Sequence, residues 1–344
     1  MRPISLVYDT LGLQHDPGLD HPESPQRLQT LLQLVGSPAV QSLAPELIAP
    51  RDATDLELTR VHTADYIAFL HAIEGQSVHL DADTVASPHS VRAAIRAAGS
   101  VLAATESILQ SPIPRAFALV RPPGHHAMPD SAMGFCILNN VALAARHALD
   151  VLGLRRVAIV DFDVHHGNGT QAAFIGDPHV LYISTHQAPL YPGSGAATEI
   201  GEGLGLGRTV NIPLAAGHGD AEYDTIYGGL IARMLERFRP EIILVSAGFD
   251  IAATDPLGGM NVSTEGFARI AGHLLNAADL LCNGRILFVL EGGYQLSALH
   301  DGVLACLEAM AGRLVVEEPM GALRQMNLGD AGQYLEIWDP YFTL

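Results

Sequence analysis

Val157-Ala-Ile-Val-Asp161-Phe-Asp163-Val-His165-His166-Gly167-Asn168-Gly169 begins as an apolar run and ends in carboxylates, imidazoles and an amide. A short run rich in β-branched residues reads as a buried strand of a parallel sheet. Ligands of open parallel sheets bind outside the carboxyl ends of the strands, which is where this polar cluster falls. The pattern recurs along the chain. Residues 4–8, 116–120, 180–183, 242–245 and 286–290 are similar apolar runs. Residues 90–109, 140–152, 222–238 and 264–281 carry Ala- and Leu-rich helical patterns between them. Strands alternating with helices predict an α/β fold: one domain with a central, mainly parallel sheet covered by helices on both faces. Further polar clusters follow four of the other runs, at 121–126, 184–186, 247–250 and 291–294. Polar clusters at so many strand ends predict one shared pocket.

Composition bounds the rest. The chain has 344 residues, 48% of them apolar, enough for a large core. No apolar run is long enough to span a bilayer, and the run before Asp9 is too short for a signal peptide, so the expected compartment is the cytoplasm and no membrane partner is expected. Three cysteines without a CxxC pair indicate neither a disulfide framework nor a thiolate metal site. With 19 Lys+Arg against 37 Asp+Glu, the net charge of -18 argues against direct nucleic-acid binding. The same charge attracts cationic substrates such as lysine-rich tails or polyamines, and equally serves solubility alone. Assembly into a homo-oligomer is compatible with the sequence. The stretch 313–344 breaks the strand–helix rhythm and reads as a C-terminal extension packed on the domain formed by 1–312.

Asp161, Asp163 and His165 alternate, so their side chains share a face if the strand conformation continues. Asp250, ending the segment Ser246-Ala-Gly-Phe-Asp250, adds another oxygen ligand. Asp163, His165 and Asp250 would leave a fourth position open, as in a catalytic rather than a structural zinc site. The alternative is a set of loop residues satisfied by hydrogen bonds. Carboxylate ligands neutralise much of a zinc ion's charge, so water at such a site needs a nearby base. Arg121-Pro-Pro-Gly-His125-His126 offers two histidines on a stiff turn, and Glu291-Gly-Gly-Tyr294 offers a phenol donor for an oxyanion.

Together these segments resemble the histone deacetylase family. The resemblance is carried by Arg-Pro-Pro-Gly-His-His (121–126), Gly-Phe-Cys-Ile-Leu-Asn-Asn (134–140), Asp-Phe-Asp-Val-His-His-Gly-Asn-Gly-Thr-Gln (161–171), Tyr-Pro-Gly-Ser-Gly (191–195), Ala-Gly-Phe-Asp (247–250), Asp-Pro-Leu-Gly-Gly (255–259) and Glu-Gly-Gly-Tyr (291–294). His21-Pro-Glu-Ser-Pro-Gln-Arg27 looks like the family's first loop. Asn168, Phe249 and the glycines after Leu257 look like class II deacetylases and their bacterial relatives, the acetylpolyamine amidohydrolases among them. The resemblance implies an arginase/deacetylase-like fold with about eight strands in its sheet. It implies zinc on Asp163, His165 and Asp250. It assigns His125 and His126 to proton transfer, oriented by Asp161 and Asn168, and Tyr294 to the scissile carbonyl. Gly134, Phe135 and Tyr191 would line a narrow acyl-lysine tunnel, with Leu257 at its rim. A structural potassium ion would sit on Asp161, Asp163, His165, Ser184 and Thr185. Tyr191 stands where the family often has Phe.

The implied reaction is metal-assisted hydrolysis of an acylated amine, most simply deacetylation of N6-acetyl-lysine in proteins or peptides. Acetylated polyamines and longer acyl chains are the alternatives. Leu257, apolar where a glutamate goes with polyamine preference in the family, favours lysine. Asp16, Asp20 and Glu23 are loop carboxylates near enough in sequence to that first loop to approach the rim. An arginase-type ureohydrolase needs a different ligand spacing, and an acyl-lysine binding protein would lack Tyr294 or a metal ligand.

Overall fold

The apolar runs become strands buried on both faces. The computed structural model describes residues 1–314, 316 and 325–344. In chain order the strands are β1 (Ser5–Tyr8), β2 (Glu46–Leu47), β3 (Val78–His79), β4 (Val85–Ala86), β5 (Arg115–Leu119), β6 (Val157–Asp161), β7 (Val180–Gln187), β8 (Thr209–Leu214), β9 (Ile242–Ala247) and β10 (Ile286–Leu290). Eight form one sheet in the order β2-β1-β5-β10-β9-β6-β7-β8, every pairing parallel. β3 and β4 make a separate antiparallel hairpin.

Alternation along each strand feeds two cores. Phe117 and Leu119 of β5 and Ala158 and Val160 of β6 pack with helices Pro25–Val35, Thr264–Cys282 and Leu296–Met310 on one face. Ala116, Ala118, Val157 and Ile159 pack with helices Ser90–Gln110 and Asn140–Asp150 on the other. In the first core Phe117 stacks on Phe249 at 6.5 Å and packs tilted against Phe288 at 5.6 Å. Removing one such ring costs about 3–5 kcal/mol.

The structure departs from the sequence reading at the margins. β2 and β8 extend the sheet beyond the runs read as strands. The segment read as one helix over 222–238 is three pieces: helix Asp220–Thr225, a π-helical stretch Ile226–Ile231 and helix Ala232–Phe238. Gly228 and Gly229, weak helix formers, lie in the wide stretch. Of the stretch 313–344, residues 315 and 317–324 lie outside the described residues. Its described part ends in helix Leu335–Phe342, which buries Trp338 and Phe342 in the first core. No helix among the described residues is long and apolar enough to cross a membrane.

Candidate active site

The strands that precede the polar clusters, β5, β10, β9, β6 and β7, are consecutive in the sheet. Parallel pairing puts their carboxyl ends on one edge, and the clusters meet there. The local chain is not the extended continuation the alternation suggests. β6 stops at Asp161, and two successive side-chain turns follow: Asp161 Oδ1 accepts the Asp163 N–H at 3.1 Å, and Asp163 Oδ1 accepts the His165 N–H at 3.0 Å. Short acidic side chains compete in this way with strand pairing. Asp163 and His165 still face one point, but Asp161 turns away and reaches His125.

Asp163, His165 and Asp250 are all buried, with ligand-type atoms close enough to share one ion. His165 Nδ1 lies 3.0 Å from Asp163 Oδ1 and 3.2 Å from Asp250 Oδ2. The far oxygens are tied to the backbone: Asp163 Oδ2 accepts the Gly292 N–H and Asp250 Oδ1 the Val164 N–H, each at 2.8 Å. Asp250 Oδ2 is buried without a hydrogen-bond partner, a costly state unless a cation meets it. Burial pushes the His165 imidazole down, but the hydrogen bond to Asp163 and the nearby charge of Asp250 outweigh that and raise it to about 10. Burial and the Asp163 charge push the Asp250 carboxyl up. Two carboxylates in so small a volume hold positive charge, so the donor set fits a divalent ion with oxygen and imidazole ligands. The fit depends on Gly292: a Cβ there would lie 2.2 Å from Asp250 Oδ2 and 2.6 Å from Asp163 Oδ2.

The two histidines of 121–126 have different partners. His125 Nδ1 lies 3.0 Å from Asp161 Oδ2, whereas His126 Nδ1 lies 2.8 Å from Asn168 Oδ1. Burial lowers the first, but Asp163 and Asp161 overcome it and hold its pKa at about 10. Burial lowers the second, and the charges of His125 and His165 lower it further, so it is neutral. The Asn168 amide nitrogen faces the sulfurs of Met128 and Met133, each at 3.2 Å, which leaves its oxygen for His126. Nδ1 of His126 therefore carries the proton and Nε2 is free to accept one. Glu291, also buried, accepts the N–H groups of Gly124 and His125 at 2.7 and 3.1 Å and so fixes the turn beneath both rings.

A cavity of about 250 Å³ joins these groups to solvent, lined by His126, His165 and Tyr294 with Gly134, Phe135, Leu190, Tyr191, Leu257 and Asp83. Phe135 stands edge-on to Tyr294 at 5.8 Å, and Tyr191 edge-on to His126 at 5.2 Å. Gly134 and Phe135 both have positive φ (+56° and +68°), so the chain turns sharply to present the ring. His21 of the first loop packs edge-on against Phe135 at 4.7 Å. Burial pushes the Tyr294 phenol up, Asp250 adds to this and Arg27 opposes it, so its O–H persists as a donor at neutral pH. Ser184 and Thr185 lie buried behind the site, with Thr185 Oγ1 2.8 Å from the Tyr227 hydroxyl.

Sequence reasoning missed two features of the cavity. Asp83, from the β3–β4 hairpin, and Leu190 share its lining. The hairpin strands are only two residues each, too short to read by pattern. Glu23 does not approach the rim. It is fully buried, bonded to Arg27 at 3.0 Å and to Arg121, because a buried carboxylate needs paired charge.

A buried trio fit to hold a cation, a neutral imidazole, a protonated one and a phenol around one closed end are groups that can serve amide hydrolysis. Comparison with known proteins agrees in kind. The family model for the histone deacetylase domain matches residues 21–310. A probable deacetylase of Archaeoglobus fulgidus is 39% identical over 309 residues, covering 89% of this chain and 86% of that one. A histone deacetylase-like amidohydrolase of Pseudomonas aeruginosa is 38% identical over 304 residues, covering 88% and 79%. The crystal structure of the HDA15 HD domain superposes with a TM-score of 0.90 at 35% identity, covering 99% of this chain and 96% of that one. The chain therefore belongs to the histone deacetylase family and is a hydrolase of its deacetylase/amidohydrolase class.

Proposed function

We propose that the protein hydrolyses the amide bond of acylated amines with zinc as its metal, acting chiefly on N6-acetyl-lysine in peptides or proteins. The observation that carries this reading is the 250 Å³ cavity, whose largely apolar walls end on His126, His165 and Tyr294. Such walls suit an aliphatic stem, and the polar end suits an amide. Asp163, His165 and Asp250 would hold the metal, which when bound polarises a carbonyl and acidifies water. His126 takes the proton of the attacking water at Nε2, its tautomer fixed by Asn168. Tyr294 donates to the carbonyl oxygen as that oxygen gains charge. His125, paired with the Asp161 carboxylate, offsets the developing charge, and a protonated histidine returns a proton to the leaving amine.

Potassium is assigned to Asp161, Asp163, His165, Ser184 and Thr185. The Ser184 hydroxyl supports this. His186, kept neutral by burial, stands 2.9 Å from the Gly195 carbonyl through Nε2, so its Nδ1 accepts from Ser184 at 2.9 Å and the serine lone pairs are left for a cation. Residues 1–312 are read as the catalytic domain and 313–344 as an extension on it, in keeping with the burial of Trp338 and Phe342.

A second reading, acetylpolyamine hydrolysis, rests on Asp83, which is among the cavity's lining residues and would offer a carboxylate to the second ammonium of a polyamine. Leu257 lines the same mouth without charge. The test is kcat/KM of the zinc-loaded protein for an acetyl-lysine peptide, acetylspermidine and a longer acyl-lysine peptide, in wild type and Asp83→Asn. The peptide is expected to lead. A tenfold advantage of the polyamine (about 1.4 kcal/mol) that Asp83→Asn removes would establish the second reading, and no hydrolysis of any of them would overturn both.

A further inference from the structure

Asp255 opens the segment Asp255-Pro-Leu-Gly-Gly259 and is 6% exposed. Its carboxylate is shared between two parts of the cavity wall. Oδ2 accepts the backbone N–H of Tyr294 at 2.6 Å and that of Gln295 at 3.0 Å. Oδ1 accepts the backbone N–H of Leu257 at 3.0 Å. Charge-assisted bonds of this length are about twice as strong as neutral ones. Tyr294 follows two glycines, Gly292 and Gly293, the second with φ at +114°. The glycines themselves are held, Gly292 by the Asp163 carboxylate on its N–H and Gly293 by the Arg27 guanidinium on its carbonyl, and Asp255 fixes the next two N–H groups, those of Tyr294 and Gln295. The Tyr294 ring packs edge-on against Phe135 at 5.8 Å, with the Arg27 guanidinium 5.1 Å from its centre.

We propose that Asp255 is a positioning residue for the hydrolysis: it acts through Tyr294, holding the phenol at the height where it meets the reacting carbonyl and locking it to Leu257 at the mouth. The inference rests on the reading of Tyr294 as the carbonyl's donor. Asp255 is not among the residues that line the cavity, although its charge reaches Asp250 of the metal-binding trio. Its carboxylate also sits just ahead of helix Leu296–Met310, whose N-cap Gln295 makes no side-chain cap bond, so a purely structural role as an anionic cap is the competing account.

The experiment is a double-mutant cycle on the zinc-loaded protein with an acetyl-lysine peptide: wild type, Asp255→Asn, Tyr294→Phe and the double variant, with zinc content and Tm for each. An amide in place of the carboxylate presents an N–H where an acceptor is needed. Asp255→Asn is expected to lower kcat about 10-fold to 100-fold, the cost of a misplaced group, with KM within threefold and zinc retained. In the Tyr294→Phe background, where no phenol is left to place, the same change is expected to cost less than threefold. An equal loss of kcat in both backgrounds, or a loss of Tm with kcat intact, overturns the positioning role and leaves the functional reading standing. A near-normal Tyr294→Phe overturns that reading instead. If Asp255→Asn does not fold, Asp255→Ser, which keeps an acceptor for one N–H, is put through the same cycle and judged by the same outcomes.

Discussion

His126 Nδ1 lies 2.8 Å from the amide oxygen of Asn168, while its neighbour His125 faces the carboxylate of Asp161 at 3.0 Å. The pairing divides the labour between adjacent imidazoles. A neutral amide orients a ring without charging it, whereas a carboxylate favours the protonated form. Asn168→Asp should therefore raise the pKa of His126. A base works only when deprotonated, so the acidic limb of the pH–rate profile should move to higher pH. A limb that stays put or moves down contradicts the assignment of His126 as the base.

How far this site could be read in advance follows from what each part depends on. The core strands announce themselves because both faces are buried, so β6 and β9 each open on four consecutive apolar residues and β10 is apolar throughout. β8 hides because Thr209–Leu214 includes Asn211 and Pro213, tolerable on a strand at the sheet's edge but unlike a strand by pattern. The meeting of Asp163, His165 and Asp250 is legible because polar clusters that follow parallel strands converge on one edge of the sheet. Asp83 was not: its place at the cavity mouth depends on a hairpin of two-residue strands and on the Thr84 hydroxyl accepting the Phe135 N–H at 3.0 Å. Asp255 stood in a motif that was read, but its partners Tyr294 and Gln295 are about forty residues away in sequence and only the fold joins them.

Gly292 should tolerate no side chain. In Gly292→Ala the new methyl would stand 2.2 Å from Asp250 Oδ2 and 2.6 Å from Asp163 Oδ2, so the carboxylates must spread. Zinc content measured by elemental analysis should fall, and activity with it, in a protein whose circular dichroism is unchanged. Full zinc occupancy in this variant would mean that Asp250 Oδ2 does not face the ion.

Glu23 should be a stability residue. Burial pushes its carboxyl up, but Arg121, His15 and Arg27 overcome this and hold it well below the usual carboxylate range. Glu23→Gln leaves two buried guanidinium groups short of their counter-charge and should cost about 3–5 kcal/mol in chemical denaturation. A carboxylate whose pKa is depressed on folding contributes fully above its unfolded value and loses that contribution as the pH falls below it. Wild-type stability should thus decline below about pH 4.3 more steeply than that of Glu23→Gln. Equal stability of the two proteins at neutral pH would sink this account.

In the function proposed, one metal ion, held by Asp163, His165 and Asp250, serves the hydrolysis. The most direct test is zinc stoichiometry measured beside acetyl-lysine peptide hydrolysis on the same preparations of wild type and Asp250→Ala. One zinc per wild-type chain is expected, with the loss of both zinc and hydrolysis in a folded Asp250→Ala protein. A folded Asp250→Ala protein that keeps one zinc per chain and cleaves the peptide at the wild-type rate would contradict it.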